Sequence, residues 1–107
     1  MAATTVDVYT TPDGTLVIHP YGILDAADTI GLRRTLVRVI RHTRPLRLVM
    51  DLADIQDLDP INLGTLAAAC HLGDDHQVAV FLDHSSAPLA ELLATAGVPR
   101  HRLRHVT

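Results

Sequence analysis

Between Leu46 and Leu66 a compact apolar run closes on Asp51, an acidic connection follows, and Asp59-Pro60 opens a segment whose apolar residues recur at helical spacing. This succession constrains the fold more than any other part of the chain. Leu46 to Leu52 is short enough for a buried strand. An Asp cap accepts from N–H groups that have no partner inside the helix, and Pro at the first helical position lacks an N–H that would be unsatisfied there. Leu63, Leu66, Ala67 and Cys70 then share a face, and Gly73-Asp74-Asp75 is read as the stop. The loop between strand and helix thereby receives backbone N–H groups and the positive end of a helix dipole.

The rest of the chain extends this pattern. Val6 to Thr10 and Leu16 to Tyr21 are β-prone runs joined by Thr11-Pro12-Asp13-Gly14, which has the chemistry of a tight turn, so an antiparallel hairpin is expected. Asp25 or Asp28 can cap an amphipathic helix from about Ala26 to His42. Its inner face carries Ile30, Leu36, Val37 and Ile40, and its polar stripe Arg34, Arg38 and Arg41. Arg44-Pro45 ends it. Val78 to Leu82 reads as another buried strand, Ser85-Ser86-Ala87-Pro88 opens a helix with Leu89, Leu92 and Leu93 that stops at Gly97, and Leu103 to Val106 as a last strand. Strands alternating with helices after a hairpin imply an α/β layer fold with a mostly parallel inner sheet. At 107 residues the chain is the size of one compact domain, expected over 1–107.

Composition removes most function classes. Three aromatic residues, Tyr9, Tyr21 and Phe81, are too few for a single-stranded nucleic-acid platform, and a net charge of -3 argues against a phosphate-backbone binder. No apolar run approaches the length of a membrane span, and Met1 to Thr10 lacks the pattern of a signal segment, so a cytoplasmic protein is expected. Cys70 is alone, which leaves no internal disulfide and no thiolate zinc site. All nine basic residues are Arg, and none falls between Leu48 and Pro99. That interval carries Asp51, Asp54, Asp57, Asp59, Asp74, Asp75, Asp83 and Glu91. Such a division is either a set of solvated faces or a partner surface that uses complementary potential.

No catalytic pattern stands out: phosphate loops, nucleophile elbows, paired-cysteine motifs and metalloprotease motifs are all absent. Ser85 and Ser86 are explained by a helix cap. His71 and Asp75 have i, i+4 spacing but straddle Gly73, where the helix is expected to end, and a closed metal site needs more ligands. The Asp51 to Asp59 carboxylates have no nearby nucleophile or phosphate cradle, and a receiver-type phosphoacceptor site needs a Lys that the chain lacks. The expectation is no enzyme, no cofactor and no metal.

The Leu46 to Leu66 layout resembles the STAS domain of bacterial anti-sigma factor antagonists. In that family a strand ending in Asp-Leu, here Asp51-Leu52, leads to an Asp-Ser-Ser-Gly-Leu-Gly motif at a helix start. The matching residues are Asp59, Pro60, Ile61, Asn62, Leu63 and Gly64. Gly22 to Asp25 looks like the family's Gly-x-Leu-Asp after its second strand, and Leu92 to Val98 like its last helix ending at Gly. The resemblance runs from Val6 to Val106 and implies a mixed sheet begun by a hairpin, with helices packed mainly on one face.

It also implies a function. In partner-switching members a kinase anti-sigma factor phosphorylates the second serine of the motif, adding about -1.5 to -2 charges at the contact surface. Ile61 occupies that position and has no hydroxyl, whereas Asp59, Leu63 and Gly64 keep the pattern. The expected module binds a protein partner, an anti-sigma factor or kinase-like regulator, without that switch. Its partner-binding residues would be Asp25, Asp57, Asp59, Pro60, Ile61, Asn62, Gly64 and Thr65, and it would be a monomer or weak dimer. Ile61 either packs under the loop or forms an exposed apolar anchor. Thr65 and Ser86 still offer hydroxyls for modification. The alternative is a structural or ligand-sensing STAS subunit of a signalling or transport assembly. The acidic run Asp51 to Asp59 would frame the partner-facing loop, and the Arg-rich helix would lie elsewhere on the scaffold.

Overall fold

Continuous apolar runs fill three strands that pair in parallel, and successive residues of each run go to opposite faces of the sheet, which sets the layers. The computed structural model describes residues 5–107. Strands β1 (Thr5–Thr10) and β2 (Thr15–Leu24) form the hairpin, antiparallel with Val8 opposite Ile18. β2 then pairs in parallel with β3 (Arg47–Asp51), and β3 with β5 (Ala79–Asp83). Leu16, Leu48 and Val80 lie side by side across these strands, as do Ile18, Met50 and Leu82. All six point to the helical side, where they are buried. Helices α1 (Thr29–Arg38), α2 (Pro60–Asp75) and α3 (Ala87–Thr95) cover that face with Leu36, Leu66 and Leu93. Each fully buried Leu or Ile contributes about 1.5–3 kcal/mol.

The opposite face carries Val17, Val49 and Phe81 in one row. The Arg104 guanidinium lies 4.0 Å and the Arg102 guanidinium 5.3 Å from the centre of the Phe81 ring. These long side chains lie over the ring and shield it.

Several local expectations are revised. The connection between β3 and α2 is itself a strand, β4 (Ile55–Leu58), parallel to the second half of β2. The first half of β2 pairs with β3 up to Ile18 and Met50; pairing on that edge resumes at Gly22 and Ile55. A bulge lies between Gly22 and Ile23, and Gly22 has φ +91°, which costs a side-chain-bearing residue dearly.

The helix expected from Ala26 to His42 has three parts: a 3₁₀ turn (Ala26–Asp28), α1, and a π turn (Val39–Thr43). Arg44, disfavoured from the α region by Pro45, takes a left-handed conformation, and its N–H donates to the Val39 carbonyl at 2.8 Å. α2 does not stop at Gly73 but continues to Asp75. Gly73 is a contact residue: a Cβ there would lie 2.5 Å from the Val78 carbonyl oxygen. The last strand, β6 (Leu103–Arg104), is shorter than expected and pairs with β5 after a 3₁₀ turn.

Candidate functional site

The start of α2 is stitched to the end of β2 by backbone and side-chain bonds. The Asp59 carboxylate accepts from the Ile61 N–H at 3.0 Å, and Pro60 follows it at the first helical position. The Asp59 N–H donates to the Leu24 carbonyl at 2.7 Å. Asn62 is fully buried; its amide nitrogen donates to the Leu24 and Asp25 carbonyls, each at 3.1 Å, and its amide oxygen accepts from the Thr29 hydroxyl at 3.0 Å. The starts of α1 and α2 are thus locked together through one side chain. Asp25 caps the 3₁₀ turn, accepting from the Ala27 N–H, while Asp28 accepts from the Asp25 N–H.

This framework separates the candidate residues. Asp25, Asp57, Pro60, Ile61 and Gly64 are exposed, and Asp59 and Thr65 are half-buried. Asn62 is a correction: with no surface open to solvent, it positions the loop and cannot touch a partner. Ile61 is 54% exposed, so it does not pack under the loop. Its neighbour Thr65 directs its hydroxyl to the Ile61 carbonyl at 3.4 Å. Ser86 caps α3, accepting from the Leu89 N–H at 3.2 Å, and the preceding Ser85 is buried.

The acidic run divides instead of framing a single loop. Asp51 and Asp54 turn to histidines: Asp51 Oδ1 lies 3.0 Å from His84 Nδ1, and Asp54 Oδ2 lies 2.8 Å from His19 Nε2. His19 Nδ1 is 3.7 Å from Asp51 Oδ2. Only Asp57 and Asp59 remain at the α2 end. Among the described residues, no group of three or more His, Cys, Asp or Glu is placed to hold a metal ion. His71 and Asp75 do lie on one helix, since α2 extends past Gly73.

The Arg-rich helix is the larger revision. Because α1 packs beside α2, Arg33 and Arg41 line the same groove as Ile61 and Thr65, a hollow of about 720 Å³ floored by Leu36 and Ala69. Its walls follow helical spacing: Arg33, Val37 and Arg41 on α1 and the turn beyond it, and Ile61, Thr65, Ala68 and Leu72 on α2. The sequence pattern had divided the first set, with Val37 among the apolar residues and Arg41 in a polar stripe with Arg34 and Arg38. Nothing in the sequence showed that it would meet the second.

Residues 7–102 match the family model described as STAS domain. The chain belongs to the STAS domain family. The α/β scaffold with its mixed sheet, expected from the Asp51-Leu52 and Asp59 to Gly64 motifs, is that of the family's solved structures. Bacillus SpoIIAA in its phosphorylated form superposes with a TM-score of 0.79 at 14% identity, covering 96% of this chain and 92% of that one. An anti-sigma factor antagonist from Mycobacterium paratuberculosis gives 0.70 at 24% identity, covering 98% and 87%. A sulfate transporter family protein from Wolinella succinogenes gives 0.69 at 14%, covering 92% and 82%. None of the curated proteins matches this STAS chain in sequence. No helix among the described residues is long and apolar enough to cross a membrane.

Proposed function

We propose that this STAS domain is a non-catalytic regulatory module that binds a protein partner, an anti-sigma factor or kinase-like regulator, through the start of α2. The exposed side chain of Ile61 carries this reading. It stands at the position where the motif has its phosphorylated serine, held by the Asp59 cap and the buried Asn62. An apolar side chain exposed on a rigid helix start is suited to anchor an interface, because its ordering cost is already met by the fold. Asp25, Asp57, Asp59, Pro60, Gly64 and Thr65 surround it. Without a hydroxyl at Ile61, no phosphoryl group can form there, so the module works unswitched at that position. The likeness to SpoIIAA and to the mycobacterial antagonist supports the class of partner.

A second reading, a structural or sensing subunit of a larger assembly, is favoured by the likeness to the Wolinella transporter family protein. Size-exclusion chromatography with light scattering on protein from native extract separates the two. A stable stoichiometric assembly with transport components supports the second reading. Reversible capture of a kinase-like anti-sigma factor, lost in Ile61→Asp with the fold intact, supports the first.

A further inference from the structure

Arginines in this protein fall into two sets. Arg47, Arg100, Arg102 and Arg104 each pair with a carboxylate, of Asp13, Glu91, Asp74 and Asp83 respectively. Arg33, Arg34, Arg38, Arg41 and Arg44 have no carboxylate partner among the described residues, and all lie on α1 or the turn that ends it. Arg34 and Arg38 stand at i, i+4, where like charges weaken a helix. The helix therefore carries self-repulsion that no partner within the described chain relieves.

The unpaired set is next to apolar surface. Ile30, expected on the inner face of the helix, is instead 70% exposed, and Ile61 is 54% exposed. Ile61 lines the α1–α2 groove, with Leu36 and Ala69 in its floor and Arg33 and Arg41 on its α1 wall, and Ile30 lines the adjoining hollow along α1. Among the described residues, Asp75 is the only carboxylate that lines the groove, and the adjoining hollow is lined by Arg34 and Arg38 with no carboxylate. An apolar trough bordered on one side by unpaired guanidinium groups is complementary to a helix with an apolar stripe flanked by Asp and Glu.

We propose that the α1–α2 groove docks an acidic amphipathic helix of the protein partner. The proposal rests on the partner-binding reading above and specifies the chemistry of the segment that would lie beside Ile61. Arg33 and Arg41 would pair with its acidic flank, while Ile61, Val37 and Leu72 would take its apolar stripe. Because guanidinium–carboxylate pairs at a rim chiefly govern orientation and on-rate, the binding should weaken with salt.

The test uses the full chain and two synthetic fluorescein-labelled helical peptides, one with Leu at i, i+3, i+4, i+7 and flanking Glu, the other with each Glu replaced by Lys. Anisotropy titrations should show the Glu peptide bound at least about tenfold more tightly, with that margin shrinking as salt rises. Backbone amide shifts should change along Val37, Ile61 and Ala68. The Arg33→Glu/Arg41→Glu double variant should reverse the preference, and Ala68→Glu, on the other wall, should weaken Glu-peptide binding by itself. Arg100→Glu, at a residue that lines neither hollow, should leave it unchanged. Equal binding of the two peptides, shifts confined to another face, or binding only to vesicles of phosphatidylglycerol in phosphatidylcholine would each overturn the proposal. Capture of a partner that depends on Ile61 but not on Arg33 and Arg41 would defeat the groove chemistry alone. Capture indifferent to Ile61 would defeat the partner-binding reading itself.

Discussion

The Thr29 hydroxyl donates to the Asn62 side-chain oxygen at 3.0 Å, joining the first residue of α1 to the first turn of α2. Asn62 also donates to the Leu24 and Asp25 carbonyls, so one buried amide fixes three chain segments around Ile61. Asn62→Ala should destabilise the fold by about 1–3 kcal/mol, because the Asp25 carbonyl and the Thr29 hydroxyl lose a partner. Urea unfolding measures this. Thr29→Val should cost less, since it leaves the two carbonyl bonds intact; equal or larger loss in Thr29→Val would show that the amide is not the centre of the network.

Two helical glycines should respond with opposite sign. A Cβ at Gly31 meets nothing within 4 Å, so Gly31→Ala should stabilise by about 0.5–1 kcal/mol through the lower entropy of the unfolded chain. A Cβ at Gly73 would lie 2.5 Å from the Val78 carbonyl oxygen and 2.6 Å from Val80 Cγ2. Backbone cannot retreat as a flexible side chain does, so Gly73→Ala should cost about 1–3 kcal/mol. Thermal melts of the two variants decide it, and stabilisation by both would contradict the close approach of α2 to β5.

Burial pushes the Cys70 thiol up to about 11. The thiolate is the nucleophile, so Cys70 should react with a disulfide reagent at neutral pH only as fast as the core opens. Because the folded value exceeds the ordinary 9.0, the unfolded chain loses its thiol proton first and stability should fall as pH rises through about 9 toward 11. Rapid labelling of the folded protein at neutral pH would place Cys70 nearer the surface.

At the hairpin turn, hydrogen bonds from Thr11, then Thr15, hold the Asp13 carboxyl down at about 2, from an ordinary 3.8. Arg47 adds a bond at 2.9 Å. A depressed carboxylate stabilises the fold above its unfolded value, and that contribution disappears as pH falls from about 3.8 through about 2. An NMR titration of the side-chain carboxyl should give the low midpoint, and Thr11→Val should move it upward. A midpoint unchanged by that substitution would remove the threonine as the main cause.

Much of this was legible in residues whose local chemistry has one outcome. Asp59-Pro60 and Ser86 with Pro88 announced helix starts, and Thr11 to Gly14 announced the hairpin, because caps and turns are satisfied within a few residues. Ile55–Leu58 was not legible as a strand: it has a single β-branched residue and exists because β2 offers it an edge beyond Gly22. Gly73 resembled a helix stop, yet it is a site of close packing whose reason lies at Val78 and Val80. Asn62 looked like a surface residue because its partners, Leu24, Asp25 and Thr29, are more than thirty positions away. For the same reason the groove was hidden: the Arg33 and Ile61 stripes meet only once both crossovers lie on one face of the sheet.

Ile61, in place of the motif serine, is proposed to anchor a protein partner. Isothermal titration of a kinase-like anti-sigma factor with wild-type protein and with Ile61→Asp tests it most directly, with chemical unfolding of both to show that the fold is kept. A buried apolar anchor is worth at least about 2 kcal/mol, so Ile61→Asp should lose affinity by about thirtyfold or more. Equal affinity of the two proteins for that partner would contradict it.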